Sequence, residues 1–205
     1  MKTIFKPSGR IHSDYPKFVF LIIVNGILSG ISSVISTDQM FSALNKGNLT
    51  PNFVGKDIIG QLGSLLVTDK LSKMKSDKIL KSSIVIYELS NLVECCSPLF
   101  QEKNFIIVAS GANIGKNIGF IGLGAFNSEV INKMSIDKDN IPQIYSKIAI
   151  FSSISFSFGM TIGLYFIKQF PDFNSRLGII SIIGVTRYFT LTKLSVFNTP
   201  NEPNR

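Results

Sequence analysis

Two long uncharged apolar runs constrain the fold more than any other feature of this sequence. Residues 18–36 and 148–167 span 19 and 20 positions, and neither run contains a charged side chain. About 20 apolar residues in a helix are needed to cross the hydrocarbon core of a bilayer. With 45% hydrophobic and 17% charged residues, the chain is also too apolar for an ordinary soluble domain. These runs therefore predict a membrane protein.

Four further stretches are predicted to be helical spans. They are residues 51–68, 83–100, 105–126 and, more weakly, 177–192, all mostly apolar with a few polar interruptions. The runs are long and lack the alternation of a membrane barrel. The predicted fold class is therefore all-α: a polytopic membrane helical bundle of about six transmembrane helices. Its predicted parts are a basic N-terminal leader (1–17), a single transmembrane domain (18–192) and a polar C-terminal tail (193–205).

Lys and Arg divide unequally between the two ends of such a bundle. With six crossings, the leader, the 69–82 and 127–147 loops and the C-terminal end, counted from Arg187, share one side. They hold 4, 5, 3 and 3 basic residues, which is 15 of the 21, whereas the opposite loops hold 4. The positive-inside rule then predicts both termini on the cytoplasm-equivalent side, which in an organelle is matrix or stroma.

The net charge of +8 is explained by this same asymmetry. The densest basic segment, "DKLSKMKSDKILK" at 69–81, has no interleaved aromatic residue on which bases could stack. Contact with anionic lipid headgroups is the simpler use of these charges. We therefore predict membrane lipids as partners and no nucleic acid.

Glycines recur at intervals of four within three of the predicted helices. Such spacing gives a helix a flat face against which a neighbouring backbone can pack in lipid. The predicted packing positions are Gly26 and Gly30, then Gly111, Gly115 and Gly119, then Gly159 and Gly163. A phosphate-binding loop is not predicted, because these glycines do not follow a strand and lack the P-loop spacing.

Two sets of polar residues interrupt the third and fourth predicted helices. An ionisable group in hydrocarbon costs at least about 2.5 kcal/mol on insertion scales and needs a partner. The set on the third helix is Glu88, Asn91 and Glu94, and the set on the fourth is Asn113, Lys116 and Asn117. These six are the candidate intramembrane polar residues of the bundle centre.

Equal spacing predicts one specific ion pair between these helices. If they form a hairpin turning near Glu102, Glu88 lies 14 residues before the turn and Lys116 14 residues after it. Such a pair is either a polar clamp that fixes helix register or part of a substrate or proton path. The clamp is favoured, because no proline-broken helix pair and no repeated half signal a transporter site.

A second charged pair, Lys56 and Asp57, lies nearer the start of its predicted helix. Lys56 is expected to extend its stem toward the membrane interface, and Asp57 to meet Gln61 one turn on. Neither catalysis nor a metal site is predicted: the lone His12 has no partner, Cys95 and Cys96 are adjacent, and no nucleophile and base share a motif. No cofactor is expected.

Three segments resemble the root UVB sensitive (RUS) family, also called DUF647. "NFVGKDIIGQLG" is similar to that family's "NWVLKDGLGQLG". The positions in common are Asn52, Lys56, Asp57, Gly60, Gln61 and Gly63. "YELSNLVECCSPLF" resembles its acidic helix ending in Ser-Pro, which places Glu88 and Glu94, and "GANIGKNIG" resembles its "GNxAKG" segment, which places Asn113 and Lys116. The similarity runs from about residue 16 to 192.

The sequence departs from the family most strongly across residues 122–145. "GLGAFNSE" stands where the family has "ATRA", and "SIDKDNIPQ" is what remains of its "DxxAK" segment; Phe53 replaces a family tryptophan. The family consists of integral membrane proteins, in several cases of plastids or mitochondria, and its plant members are linked to light responses and vitamin B6 status. The resemblance thus implies location and architecture more than a reaction.

Together these observations predict a structural or accessory subunit, a scaffold that packs against other membrane subunits. The expected location is an organelle membrane, with the mitochondrial inner membrane favoured over the plastid. The alternative is a carrier of a small charged metabolite, related to vitamin B6, that uses Lys56, Asp57, Glu88 and Lys116. A water-accessible cavity reaching Glu88 would favour the carrier. An enzyme is the least expected class.

Overall fold

The structure is a computed structural model that describes residues 7, 9–43, 49–100 and 102–198, without the side chains of 49–53, 66–72, 102–103 and 198. These residues form six α-helices and three short 3-10 helices, with one isolated β-bridge and no strand. The α-helices are α1 (Tyr15–Ser42), α2 (Leu49–Ser72), α3 (Ser76–Cys95), α4 (Glu102–Met134), α5 (Ile141–Gln169) and α6 (Phe173–Thr192). The all-α expectation is confirmed over this part of the chain, and Asn52 of the family-like segment has its side chain outside it.

Within the described residues, four helical segments are long and apolar enough to cross a membrane. They are Tyr15–Ser42, Asn104–Met134, Lys138–Gln169 and Phe173–Phe197. Helices α2 and α3, which carry Lys, Asp and Glu residues in their interiors, are not among them. The fold is thus that of a helical membrane protein. The sequence predicts about six crossings, whereas four of the described segments qualify.

Helices α1 and α5 pack in parallel along a seam of small residues. The glycines of this seam are Gly26, Gly30, Gly159 and Gly163. A Cβ on Gly26 would collide with Ser155, and a Cβ on Gly163 would collide with Val34. Paired positions therefore rise together along both helices. Because each glycine lets the opposite helix approach to backbone distance, these two helices have the most extensive contact in the bundle.

Helices α3 and α4 form the antiparallel hairpin that the sequence predicts. The glycines of this seam are Gly115, Gly119 and Gly122. A Cβ on Gly115 would collide with Ser90, and one on Gly122 would collide with Ser83, so residue numbers fall along α3 as they rise along α4. Gly111 differs from its expected role, because no described atom lies within 4 Å of a Cβ placed there. It faces outward.

The remaining helices attach to these two pairs. Helix α6 runs antiparallel to α1, since Arg187 bonds Asn25 and Arg176 bonds Asp38, and it also packs against α3. Helix α2 packs against α4 and runs parallel to it. Helices α1, α3 and α5 therefore point one way and α2, α4 and α6 the other, so consecutive helices alternate in direction.

The segment before α1 is docked on the loop between α4 and α5. Arg10 donates through its backbone N to Asp137 Oδ2 (2.9 Å) and through Nη2 to Oδ1 (3.0 Å), while His12 N donates to the Met134 carbonyl (2.9 Å). The backbone hydrogen bond from Arg10, followed by the side-chain one, holds the pKa of Asp137 below its ordinary value of 3.8. The leader and the 127–147 loop thus lie at the same end of the bundle.

Local sequence signals set where the helices begin. Pro16 and Pro142 stand in the first turns of α1 and α5, where a missing backbone N–H breaks no helical bond. Asp172 caps α6, since its Oδ1 accepts from the backbone N of Ser175 (2.8 Å). That backbone hydrogen bond lowers the pKa of Asp172. These starts place α5 and α6 so that their inner faces meet α1.

Candidate functional site

The charged side chains that are buried among the described residues all belong to ion pairs. The pairs are Asp38 with Arg176, Lys56 with Asp57, Glu88 with Arg187 and Glu94 with Lys116. Three of the four join different helices. A charge left alone in hydrocarbon would be costly, so each pair requires its helices to stay together.

The Glu88 and Arg187 pair lies at the meeting point of α1, α3 and α6. Arg187 is 2% exposed, and its Nη1 donates to Glu88 Oε1. Its Nε donates to Asn25 Oδ1 (2.9 Å), and its guanidinium lies 4.8 Å from the centre of the Tyr87 ring. Asn91 extends the cluster, with Nδ2 3.5 Å from Glu88 Oε2. One buried cation is thus held by a carboxylate, an amide and an aromatic face.

The Glu94 and Lys116 pair joins α3 to α4 and reaches α1 through Ser36. Lys116 Nζ donates to Glu94 Oε2 and lies 3.3 Å from Ser36 Oγ. Ser36 Oγ in turn donates to Glu94 Oε2 (2.8 Å). The Glu94 side chain is 3% exposed and that of Lys116 is 15% exposed. This arrangement is a polar clamp of the kind predicted for the hairpin, but its acid is Glu94 and not Glu88.

The predicted pair between Glu88 and Lys116 is therefore wrong. The two residues do lie at similar depth in the hairpin, since Gly115 opposes Ser90. However, Cα–Cβ bonds in a helix tilt toward its N-terminus, so in an antiparallel hairpin the two side chains lean in opposite directions. Lys116 leans toward the turn, where Glu94 lies, and Glu88 leans away from it, toward Arg187.

Arg187 is the functional residue that the sequence prediction missed. It was counted with the basic C-terminal end, but it lies inside α6, between the buried Ile183 and Leu191. Both apolar neighbours are four residues away, on the same helix face, and that spacing was the signal available. Without Arg187, the side of the termini holds 14 Lys and Arg residues against 4 on the opposite side, so the charge asymmetry remains.

A second arginine of α6 binds the end of another helix. Arg176 Nη1 donates to Asp38 Oδ2 (2.6 Å), Nε to the Phe170 carbonyl (2.9 Å) and Nη2 to the Ile167 carbonyl (3.1 Å). A cation at the C-terminal end of a helix satisfies carbonyls that have no partner within the helix. Arg176 therefore fixes α5, α6 and α1 together at the end opposite the leader.

Lys56 is buried beside α4 rather than extended to the membrane interface, and its partner Asp57 is partly exposed. Lys56 Nζ lies 2.8 Å from Asp57 Oδ1, and Lys56 is 5% exposed. Asn113 donates from Nδ2 to Asp57 Oδ1 (2.9 Å) and to the Lys56 carbonyl (3.1 Å). The expected contact with Gln61 is wrong, because Gln61 is exposed and Asn113 takes that role. Asn117 is half-buried and makes no described hydrogen bond.

A groove opens between α4 and α5, and we call it the α4–α5 groove. It encloses about 760 Å³. Its floor includes Asn25, Tyr87 and Arg187, and its walls include Phe120 and Phe156. The groove reaches Arg187 but not Glu88, which lies behind the arginine.

The four residues of the carrier hypothesis do not form one site. Lys56 and Asp57 pair with each other on α2, Lys116 pairs with Glu94, and Glu88 pairs with Arg187. Their charges thus belong to three separate ion pairs. The described residues also contain no group of three His, Cys, Asp or Glu side chains placed to hold a metal ion.

A protein-family model matches this chain. The family model described as the vitamin B6 photo-protection and homoeostasis domain matches residues 1–198. No curated protein and no solved structure matches the chain. The match covers nearly all of the sequence, including the acidic helix, the clamp residues and the divergent 122–145 region. The chain therefore belongs to this family, the root UVB sensitive family that its three conserved-looking segments resemble.

Proposed function

We propose that this protein is a structural or accessory subunit, a six-span scaffold in an organelle membrane, with the mitochondrial inner membrane favoured over the plastid. The observation that carries the proposal is the use of the buried charges. Each buried ionised side chain of the described residues is paired within the bundle, and three of the four pairs hold different helices together.

The outer surface supports a role in assembly. Large apolar side chains are exposed along α4, including Ile107 (71%) and Phe120 (72%). Gly111, four residues after Ile107, is exposed and has open space beside it. A small residue on an apolar helix face allows close approach of a partner helix in lipid. Gly111 and Ile107 are the face that we assign to another membrane subunit.

Purification in mild detergent followed by native electrophoresis tests the scaffold role. We expect the wild-type protein to migrate as part of a larger assembly with a defined set of companions. Gly111→Leu should release it from that assembly without changing its own thermal unfolding, because no described side chain contacts the glycine. A wild-type protein that migrates as a lone monomer in several mild detergents would overturn the proposal.

The six crossings and the position of both termini on the matrix or stroma side belong to the same proposal. Cysteine labelling tests them, in a background where Cys95 and Cys96 are replaced. Six spans place Lys73→Cys on the side of the termini and Lys168→Cys on the opposite side. An impermeant maleimide added to intact organelles stripped of their outer membrane should label only the second. Labelling of both, or only of the first, contradicts this topology.

A further inference from the structure

The α4–α5 groove is a lateral opening in the bundle. Helix α4 packs against α2 and α3, whereas α5 packs against α1, so α4 and α5 share little contact. They are tied by a hydrogen bond between Ser128 and Tyr145. Farther along the groove Gly124 has no described atom within 4 Å of a Cβ placed on it. The groove therefore opens through the side of the bundle, toward lipid.

Hydrogen-bond donors remain unused on the floor of this groove. Arg187 uses Nε and Nη1, and no described residue accepts from its Nη2. Asn25 accepts from Arg187 through Oδ1, and its Nδ2 has no described acceptor. Both residues line the groove, and Arg187 is 98% buried. A donor on the buried Arg187 requires an acceptor, because an unpaired polar group in an apolar setting is costly, and the half-buried Asn25 offers a second donor.

The groove also holds one unused acceptor. Asn127 Oδ1 is buried and has no hydrogen-bond partner among the described residues. Asn127 lines the groove with Ser152 and Ser153, and the lining contains no Asp or Glu. An occupant would therefore present oxygen acceptors to Arg187 and Asn25 and a hydroxyl to Asn127. A cationic headgroup would find no carboxylate there, since Glu88 lies behind the arginine.

Depth and wall chemistry identify the class of occupant. Arg187 lies five residues before the end of α6, and Asn25 ten residues after the start of α1, which is roughly 8 and 15 Å from those ends. The polar headgroup layer takes up only about 5–8 Å on each side of a bilayer, so Arg187 lies near the inner boundary of that layer and Asn25 lies below it. The walls are apolar, with Phe120, Leu123 and Phe156 along them. An occupant that places oxygen acceptors at the floor and apolar chains along the walls is an amphiphile, and it would enter from the membrane.

We propose that the α4–α5 groove binds one phospholipid with a hydroxyl-bearing headgroup. Its phosphate or ester oxygens accept from Arg187 Nη2 and Asn25 Nδ2, its headgroup hydroxyl donates to Asn127 Oδ1, and its acyl chains lie between α4 and α5. This site is separate from the general attraction of anionic lipid to the basic loops, because it lies inside the bundle and has fixed hydrogen-bond positions.

The test titrates delipidated full-length protein in detergent with phosphatidylglycerol and counts bound lipid by native mass spectrometry. Gly124→Leu fills the groove, and Gly178→Leu is the matched control, since Gly178 is also exposed with open space beside it but does not line the groove. We expect one lipid on the wild type, binding at least about tenfold weaker for Gly124→Leu and unchanged for Gly178→Leu. Equal binding by both variants would overturn the proposal.

Two further arms separate the alternatives. Asn127→Leu removes the acceptor and should weaken phosphatidylglycerol more than phosphatidylcholine, whose headgroup has no hydroxyl. Glycerol 3-phosphate carries the same phosphate without acyl chains and should not displace the lipid at equal concentration. If it displaces the lipid, the site belongs to a small water-soluble anion instead. If phosphatidylcholine binds equally well and Asn127→Leu has no effect, the assigned headgroup contact is wrong.

Discussion

Replacing Lys116 with Met should destabilise the bundle by leaving the Glu94 carboxylate without its cation. Glu94 is 3% exposed as a side chain and would keep only Ser36 as a donor. Removing one partner of a buried pair typically costs about 3–5 kcal/mol, and a bare carboxylate in a membrane helix costs about 2.5–3.5 kcal/mol on insertion scales. Because Lys116 is itself 15% exposed, we expect the low end, about 3 kcal/mol.

A double-mutant cycle that adds Glu94→Gln to Lys116→Met identifies the partner of Lys116. Glu94→Gln in the Lys116→Met background removes the unpaired charge while keeping an oxygen that can accept from Ser36, so most of the lost stability should return. Glu88→Gln in the same background should not restore it, because Glu88 is bonded to Arg187. The coupling between Lys116 and Glu94 should be about 2–3 kcal/mol, the upper part of the range for residues in direct contact.

The free energy of unfolding can be followed by titrating mixed micelles with sodium dodecyl sulfate and recording helix content. The companion cycle, Arg187→Met with Glu88→Gln, should behave in the same way for the other pair. If Glu88→Gln rescues Lys116→Met as well as Glu94→Gln does, the assignment of the clamp is refuted and the register argument from the sequence was right after all.

Three further perturbations have defined outcomes. Gly159→Leu should lower the free energy of unfolding by about 1–3 kcal/mol or more by separating α1 from α5, whereas Gly178→Leu should leave it unchanged; the same detergent titration measures both. Asp172→Ala should speed amide hydrogen exchange in the first turn of α6 about fivefold, since one N-cap is lost. Docking of the leader should be complete above pH 4. It should weaken as the pH falls through the lowered pKa of Asp137, below 3.8, because protonation of the carboxylate removes its ion pair with Arg10. Limited proteolysis of the leader at a series of pH values would measure this.

Much of the architecture follows from sequence because lipid imposes simple requirements. Long apolar runs must be helices, since backbone groups have no other partner in hydrocarbon. Five of the six predicted stretches lie within α-helices, and the stretch 83–100 is α-helical as far as Cys95. Glycine spacing marked the two faces that form the α1 and α5 seam, where Gly30 lies against Gly159, Gly26 against Ser155 and Gly163 against Val34. The outward position of Gly111 could not be predicted this way. Spacing gives a face but not what lies opposite.

Partner choice among charged residues was the part that sequence could not supply. Counting from the turn matched Glu88 to Lys116 by depth, but pairing also depends on the direction of each side chain and on which third helix lies nearby. Arg187 is 99 positions from Glu88, so no local pattern connects them. Lys56 was expected to reach water for the same reason: the helix that covers it, α4, begins more than 40 residues later.

The span of these contacts also has a consequence for the order of biosynthesis. Helix α1 emerges first and is the most apolar of the candidate spans, so it can remain in lipid by itself. Helix α3 emerges with Glu88 and Glu94, and the cation for Glu88 arrives only with α6, 99 residues later. Until then the nascent chain holds an uncompensated carboxylate in or beside the bilayer. A chain that stops before α6 would keep α1 in lipid but leave Glu88 without its cation, and α3 without its contact to α6.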